Sequence, residues 1–329
     1  MMRAVVVTHA ELVEKLVLEN VVRPSIGPSE VLICTSACGV NRMDLLQRKG
    51  KYAPPLGASS ILGVEVGGTV IESRSPFLNV GERVMALLSG GGYAQFAVAP
   101  ASLCMRIPKH LSFQQAAAIP EAWITAFQLL SIVADLKKGE TVLIHAAGSG
   151  VGNAAIQLSK LIGAKSIFVT ARSAEKLTLC SELGATNLIN YKENPNFSNI
   201  VLEMTDGRGV DVILDCVGAT HYHQNIRSAA MDARFVIYSL LSGSEINCDL
   251  ALLVKKRMSI LTSTLRHRHL DYRSNLIEKF KEIVLPGFED NTYKVIIDSI
   301  FPIAEVELAH NRMTQNKNCG KIILTWDSD

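Results

Sequence analysis

The sequence predicts an α/β protein in two parts, a β-rich part and a parallel, doubly wound sheet. Three observations carry this. Residues 1–118 are a succession of short apolar runs broken by Gly and Pro, such as Glu30-Val31-Leu32-Ile33-Cys34, Gly68-Thr69-Val70-Ile71 and Glu82-Arg83-Val84-Met85-Ala86. Short strands at close spacing, punctuated by turns, read as a barrel or sandwich. Residues 119–261 instead alternate strand-like and helix-like stretches, the pattern of a parallel sheet flanked by helices. A glycine-rich turn then sits between a strand and a helix, where a dinucleotide would bind.

In chain order, Met1-Met2-Arg3-Ala4-Val5-Val6-Val7 reads as a first strand, being too short for a signal-peptide core. Residues 141–145 form a buried-type strand. The helical spacing of Ala155, Ile156, Leu158 and Leu161 gives a helix over 153–162, and Ile167-Phe168-Val169-Thr170 a second strand. Ser173 and Gly184 are suited to cap a helix through Leu177 to Leu183. Leu188-Ile189, residues 210–214 and Phe235-Val236-Ile237-Tyr238 supply further strands. Beyond them a helix over 269–283 and strands at 295–297 and 321–324 are expected, and residues 262–329 are expected to complete the first part.

Bulk properties exclude several classes. Lys and Arg number 33 against 31 Asp and Glu, a net charge of +2, which exerts no pull on nucleic acid or anionic membrane. No apolar run approaches the ~20 residues that cross a bilayer. The seven cysteines, Cys34, Cys38, Cys104, Cys180, Cys216, Cys248 and Cys319, are odd in number, with no C-x-x-C pair. They read as reduced, mostly buried thiols of a soluble, cytoplasmic protein.

The strongest local signal is Val142-Leu143-Ile144-His145-Ala146-Ala147-Gly148-Ser149-Gly150-Val151-Gly152. Glycines there let the backbone approach a pyrophosphate, and the following helix start offers free N–H groups and partial positive charge. In strict G-x-G-x-x-G register the third glycine falls on Asn153. A hydrolase elbow is excluded, because Ala147 and Val151 stand where G-x-S-x-G needs glycines. NAD binders place an acid about 20 residues on, against the ribose hydroxyl. This chain has Thr170-Ala171-Arg172-Ser173 there, followed by Lys176, which favours the 2′-phosphate of NADPH.

With these motifs the chain resembles the medium-chain dehydrogenase/reductase superfamily, specifically its zinc-free quinone oxidoreductase branch and the tumour-suppressor-inducible members within it. Over essentially the whole length the likeness is carried by residues 41–48, 52–59 and 116–127. Asn190-Tyr191, Asp215-Cys216-Val217-Gly218 and Gly320-Lys321-Ile322-Ile323-Leu324 add to it. The resemblance implies a GroES-like substrate domain (1–118 with 262–329), a Rossmann NADPH domain (119–261), an active site in the cleft between them, and a homodimer through the Rossmann edges. It implies a pyrophosphate on Ser149, Gly150, Val151 and Gly152, and a 2′-phosphate at Ser173, Lys176 and Tyr191; Arg172, read above as a phosphate contact from its residue type, departs from the family's residue there. It further implies a nicotinamide flanked by Val217, Gly218, Ser239, Leu240, Leu241, Thr264, Leu265 and Arg266. Asn318 and Lys321 are expected near the cofactor, and Asn41 and Tyr52 in the substrate pocket.

Zinc-dependent relatives hold their metal through a Cys, a His and a later Cys. This chain keeps Cys38 but has Val64 and Glu121 at the other two positions, one thiol where three ligands are needed. The expected activity is therefore metal-free reduction of a small quinone by NADPH, with Tyr52 and Asn41 as hydrogen-bond donors to the carbonyl. An activated-alkene (enoyl or enone) reductase is the alternative enzyme. A non-enzymatic NADPH sensor or RNA-binding protein is the alternative outside enzymes. The basic run Arg266-His267-Arg268-His269 reads as a solvated loop, with room for a cofactor contact from Arg266, and His145 as a core histidine.

Overall fold

The computed structural model describes residues 1–10 and 13–326. It divides into two compact units, Met1–Ile124 with Leu265–Asp329, and Thr125–Thr264. The sequence placed the two divisions at 118/119 and 261/262.

The first unit begins with β1 (Met2–Ala10) and β2 (Val13–Val21), an antiparallel pair. It continues through β3 (Glu30–Val40), β4 (Glu65–Ser73), β5 (Arg83–Leu87), β6 (Phe96–Pro100) and β7 (Cys104–Arg106). The second unit carries β8 (Thr141–Ile144), β9 (Ser166–Ala171), β10 (Asn187–Asn190), β11 (Val210–Asp215), β12 (Ala229–Ile237) and β13 (Ser259–Thr262). The chain then returns to the first unit with β14 (Ile297–Pro302) and β15 (Lys321–Thr325).

In the first unit β3 organises a seven-stranded sheet of order β14-β15-β3-β4-β5-β7, with β6 also paired to β3. Its run of β-branched and small apolar residues suits burial on both faces. Gly68 lets β4 come close, since a Cβ there would lie 2.1 Å from the Cys34 carbonyl oxygen. The strand expected at 295–297 starts only at Ile297, where pairing with Lys321 of β15 begins. Val295 is spent instead on a small apolar cluster with Ala37, Ala117 and Ile323.

The second unit is a six-stranded parallel sheet of order β10-β9-β8-β11-β12-β13. Numbered from β8, that is the 3-2-1-4-5-6 order of a Rossmann fold, whose strand order reverses between β8 and β11. The helix after β8, Gly150–Ile162, starts three residues earlier than its periodicity suggests and closes on Gly163 at φ 86°. The helix Ala174–Leu183 ends at Gly184, as its sequence signals. Ser173 occupies the N-cap there but makes no side-chain cap bond. β13 was not expected, being an edge strand of only four residues, Ser259–Thr262, whose side chains are mostly exposed.

One helical stretch, Phe113–Val133, is long and apolar enough by length and composition to cross a bilayer, contrary to the expectation from apolar runs. Most of it is buried within the protein, as a core helix is.

Candidate functional site

In the second unit the glycine turn follows β8 and Asp215-Cys216-Val217-Gly218 follows β11, so both lie at the carboxyl ends of the strands flanking the reversal point. Ser149 caps the helix, its hydroxyl accepting from the Gly152 N–H at 3.1 Å. A Cβ on Gly152 would fall 2.5 Å from the Ala147 carbonyl oxygen, so the helix start needs a glycine to lie on the turn. Gly150 and Val151 form the first helical turn. Lys176 lies across the turn, its chain 2.9 Å from where a Gly148 Cβ would be. Arg172 and Ser173 follow the end of β9. Tyr191 follows β10 and packs edge-on against His221, ring centres 5.6 Å apart.

Asp215 shapes the other loop. Its buried carboxylate accepts from the Val217 N–H at 2.6 Å, the Gly218 N–H at 3.2 Å and the Asn225 amide at 3.0 Å. Gly218, at φ 86°, would clash with Gly243 if it carried a Cβ. Ser242 donates to the Val217 carbonyl through both backbone and hydroxyl, at 2.8 Å each, which ties the Ser239, Leu240 and Leu241 loop to Val217. Leu240 and Leu241 are exposed. The Thr264 carbonyl accepts from Gln128.

Behind the turn, His145 hydrogen-bonds Thr170 at 2.8 Å and Asn225 at 2.6 Å. Because the Asn225 amide nitrogen donates to Asp215, its oxygen must accept from His145 Nε2, and Nδ1 takes the Thr170 hydroxyl proton. This is the satisfied core histidine that the sequence suggested.

The first unit holds the remaining candidates. Lys321 is buried, and its ammonium donates to three oxygens: Glu65 Oε1 at 2.5 Å, Asn41 Oδ1 at 2.7 Å and the Val40 carbonyl at 3.1 Å. Asn41 donates its amide to Glu65 at 2.8 Å and to the Gly39 carbonyl at 3.4 Å. The second Glu65 oxygen accepts from the Glu121 N–H at 2.8 Å. Lys321, expected near the cofactor, therefore spends its three donors inside this unit, and Asn41, expected to face substrate, spends both ends of its amide there. Their pairing needs β3, β4 and β15 to be adjacent, which no local pattern encodes. Asn318 donates to the Gly320 carbonyl at 3.1 Å and turns the chain into β15.

Tyr52 has a different setting. Its hydroxyl lies 2.9 Å from His267 Nδ1, and the Arg266 guanidinium sits over its ring, 5.8 Å from the centre. Burial, with a contribution from Glu121, raises the Tyr52 pKa, so the phenol stays neutral at pH 7. Leu265 and Arg266 are buried, and Arg266 donates through Nε and Nη2 to the Ser89 carbonyl at 2.8 and 2.6 Å. Its Nη1 is buried without a protein hydrogen-bond partner. The sequence reading missed Glu65, Asp215 and His267 as site groups. Asp215 carried a signal in the Asp215-Cys216-Val217-Gly218 motif and His267 in the basic run read as a solvated loop, while nothing local marked Glu65. A cavity of about 580 Å³ lined by Phe77, Arg106, His110 and Lys281 holds none of these residues.

Comparison with known proteins fits this arrangement. Residues 27–109 match the alcohol dehydrogenase GroES-like domain family, and residues 150–282 the zinc-binding dehydrogenase family. A quinone oxidoreductase-like protein 2 homolog from Nematostella vectensis is 31% identical over 320 residues, covering 95% of this chain and 87% of the relative. The chain belongs to the medium-chain dehydrogenase/reductase superfamily. It is an oxidoreductase of that superfamily, whose members bind NAD(P). A mycobacterial protein solved with NADPH superposes with a TM-score of 0.87 at 28% identity, covering 99% of this chain and 100% of that one. The CurK enoyl reductase superposes equally well, with a TM-score of 0.87 at 26% identity and 99% of each chain covered.

This dehydrogenase/reductase does not fit the zinc that some relatives carry. Cys38 is the one thiol at the three positions, and it is buried, which pushes its pKa well above the usual range. Val64 has no donor atom, and the Lys321 ammonium already provides a cation for Glu65. Among the described residues no three His, Cys, Asp or Glu side chains are grouped to hold a metal. The glycine turn, by contrast, fits a nucleotide pyrophosphate, since the helix Gly150–Ile162 starts on it and its glycines put no side chain between a phosphate and the backbone.

Buried titrating groups set opposing pH trends. Burial lowers His145 and His221 to about 4 and His310 to about 3. Below the ordinary value of about 6.5 the unfolded chain takes up these protons first, so stability falls as the pH drops towards 4. Burial raises Asp44 to about 6, and burial with Glu65 raises Glu121 to about 8. Their favourable contribution is complete below the unfolded carboxylate values and is lost as pH rises through 6 and then 8. Three imidazoles outweigh two carboxyls on the acid side, and Glu121 dominates above. Thermal unfolding followed across pH should show a maximum at about pH 6.5 to 7. A midpoint still rising at pH 8 would show that Glu121 is ionised in the fold.

Proposed function

We propose that the protein is a zinc-independent NADPH:quinone oxidoreductase. The observation that carries this is the Tyr52–Arg266 pair, a neutral phenol beside a buried guanidinium whose Nη1 has no hydrogen-bond partner among the described residues. When bound, NADPH supplies the hydride. The residues have only to seat the acceptor and meet the negative charge that grows on its oxygen. Arg266 Nη1 does the second, and Tyr52 orients the carbonyl.

The preference for NADPH rests on Lys176 across Gly148, on Arg172 and Ser173 after β9, and on the missing acid. The mycobacterial NADPH complex supports it. The quinone as acceptor rests on the name of the Nematostella relative. An activated alkene is the second reading, favoured by the superposition on the CurK enoyl reductase. We further propose that two copies associate through the β13 edge, where Ile260 is exposed close in sequence to exposed Ile246, Leu250 and Val254. A cytoplasmic location accords with the free cysteines.

The test is NADPH oxidation with an ortho-quinone, a para-quinone and an enoyl thioester in parallel, with NADH and a chelator as controls. Chelator-resistant quinone turnover preferring NADPH is expected. Consumption with the thioester alone would replace the quinone reading by the alkene one. Tight NADPH binding with no turnover would leave a nucleotide sensor.

A further inference from the structure

We infer that His267 is a proton-delivering residue that acts through Tyr52, connecting the substrate oxygen to bulk water. The inference rests on the oxidoreductase reading above.

Hydrogen-bond direction makes the case. His267 Nε2 lies 3.2 Å from the Ala53 carbonyl oxygen, which can only accept, so Nε2 carries a proton. In the neutral ring Nδ1 must then accept, and the Tyr52 hydroxyl donates to it at 2.9 Å. In that state the phenol proton is held on His267 Nδ1 and is not offered to substrate. When the exposed ring gains a second proton from solvent, the Nδ1–H donates to Tyr52 Oη instead, and the phenol proton is released towards substrate. The ring keeps its Nε2 bond to Ala53 in both states, so the switch moves protons and no heavy atoms. The T-shaped packing of the two rings, 5.0 Å between centres, holds the pair in register.

The step balances. Quinone, NADPH and one proton give hydroquinone and NADP⁺, and both electrons travel with the hydride. The proton reaching the substrate oxygen is the Tyr52 phenol proton. The Nδ1 proton of His267 replaces it, and water reprotonates the exposed imidazole. Tyr52 touches the substrate, and His267 is a positioning and relay residue behind it.

The variant that separates relay from scaffold is His267→Gln. A glutamine amide can accept from Tyr52 and donate to Ala53, yet it cannot carry a proton. Acid–base assistance by a placed side chain typically gives ~100-fold or more. His267→Gln should therefore lower kcat by about 100-fold, leave KM and NADPH affinity unchanged, and reduce the solvent deuterium isotope effect. In a Tyr52→Phe background it should do nothing further. Nitrogen-15 NMR of the histidine ring in the free protein supplies a readout independent of turnover. The Nε2–H tautomer is expected for His267, with an Nδ1 hydrogen bond that disappears in Tyr52→Phe. An Nδ1–H tautomer, wild-type kcat in His267→Gln, or an equal loss in both backgrounds would each overturn the relay. If the wild type reduces neither quinone nor alkene, the proposed substrate reading fails, and with it delivery to substrate. The tautomer would still report whether the hydrogen-bond chain exists.

Discussion

Replacing Lys321 by Met is expected to cost about 3–5 kcal/mol of stability, the range for removing one partner of a buried ion pair. Glu65 has no exposed surface, and the Lys321 ammonium is the only cation bonded to it among the described residues. Without that ammonium the carboxylate keeps the Asn41 amide and the Glu121 N–H, but its charge has no counter-ion. Protonating Glu65 would limit the cost only by abandoning the charge-assisted bonds. In a unit of this size the loss should lower the first thermal transition by about 10 °C or more. The companion Glu65→Gln, Lys321→Met should recover much of it, because removing both charges leaves no buried ion unpaired. Scanning calorimetry of the three proteins reads this directly. A single variant within about 1 kcal/mol of wild type would mean that the buried pair does not hold this unit together.

The second large effect is expected at Gly152. A Cβ there would lie 2.5 Å from the Ala147 carbonyl oxygen and 2.6 Å from the Ala147 Cα. Both obstacles are backbone, so the turn has to open or the helix start has to move. Such overpacking costs about 1–3 kcal/mol. Here it falls on the N–H groups that would face the pyrophosphate. Gly152→Ala should weaken NADPH binding by about 10- to 100-fold, at ~1.4 kcal/mol per factor of ten. Fluorescence titration measures the affinity, and circular dichroism confirms that the second unit still folds. Gly148→Ala makes the useful contrast, since its Cβ would meet the flexible Lys176 chain. Displacing that chain should reduce preference for NADPH over NADH more than it weakens binding overall. Equal, small effects at both glycines would show that the turn does not carry the phosphates.

Different parts of this protein were legible to different degrees. The turn at 148–152, the helices after it and the parallel strands around it could be read locally. Each depends on residues within one strand–turn–helix segment: glycines where the backbone must approach, Gly163 and Gly184 where helices stop, apolar spacing between them. The domain that closes on itself through β14 and β15 was expected only in outline, because a strand's register is set by its partner. That is why the segment at 295–297 shifted to Ile297–Pro302. β13 was not expected, being an edge strand of four mostly exposed residues.

The candidate site divides along the same line. The sequence by itself determined a glycine turn at a strand–helix junction and a side chain with no donor atom at Val64, because residue identity and spacing suffice for both. Only the tertiary structure decided what the polar side chains of the first unit do. Asn41 and Tyr52 looked alike as donors in the sequence. The fold sets Asn41 between Glu65 and Lys321, partners 24 and 280 residues away, and sets Tyr52 against His267, 215 residues away. A side chain has few donors and acceptors, and whichever groups the fold brings within about 3 Å use them first. That competition is settled by packing across the whole chain, so it leaves no trace in local sequence.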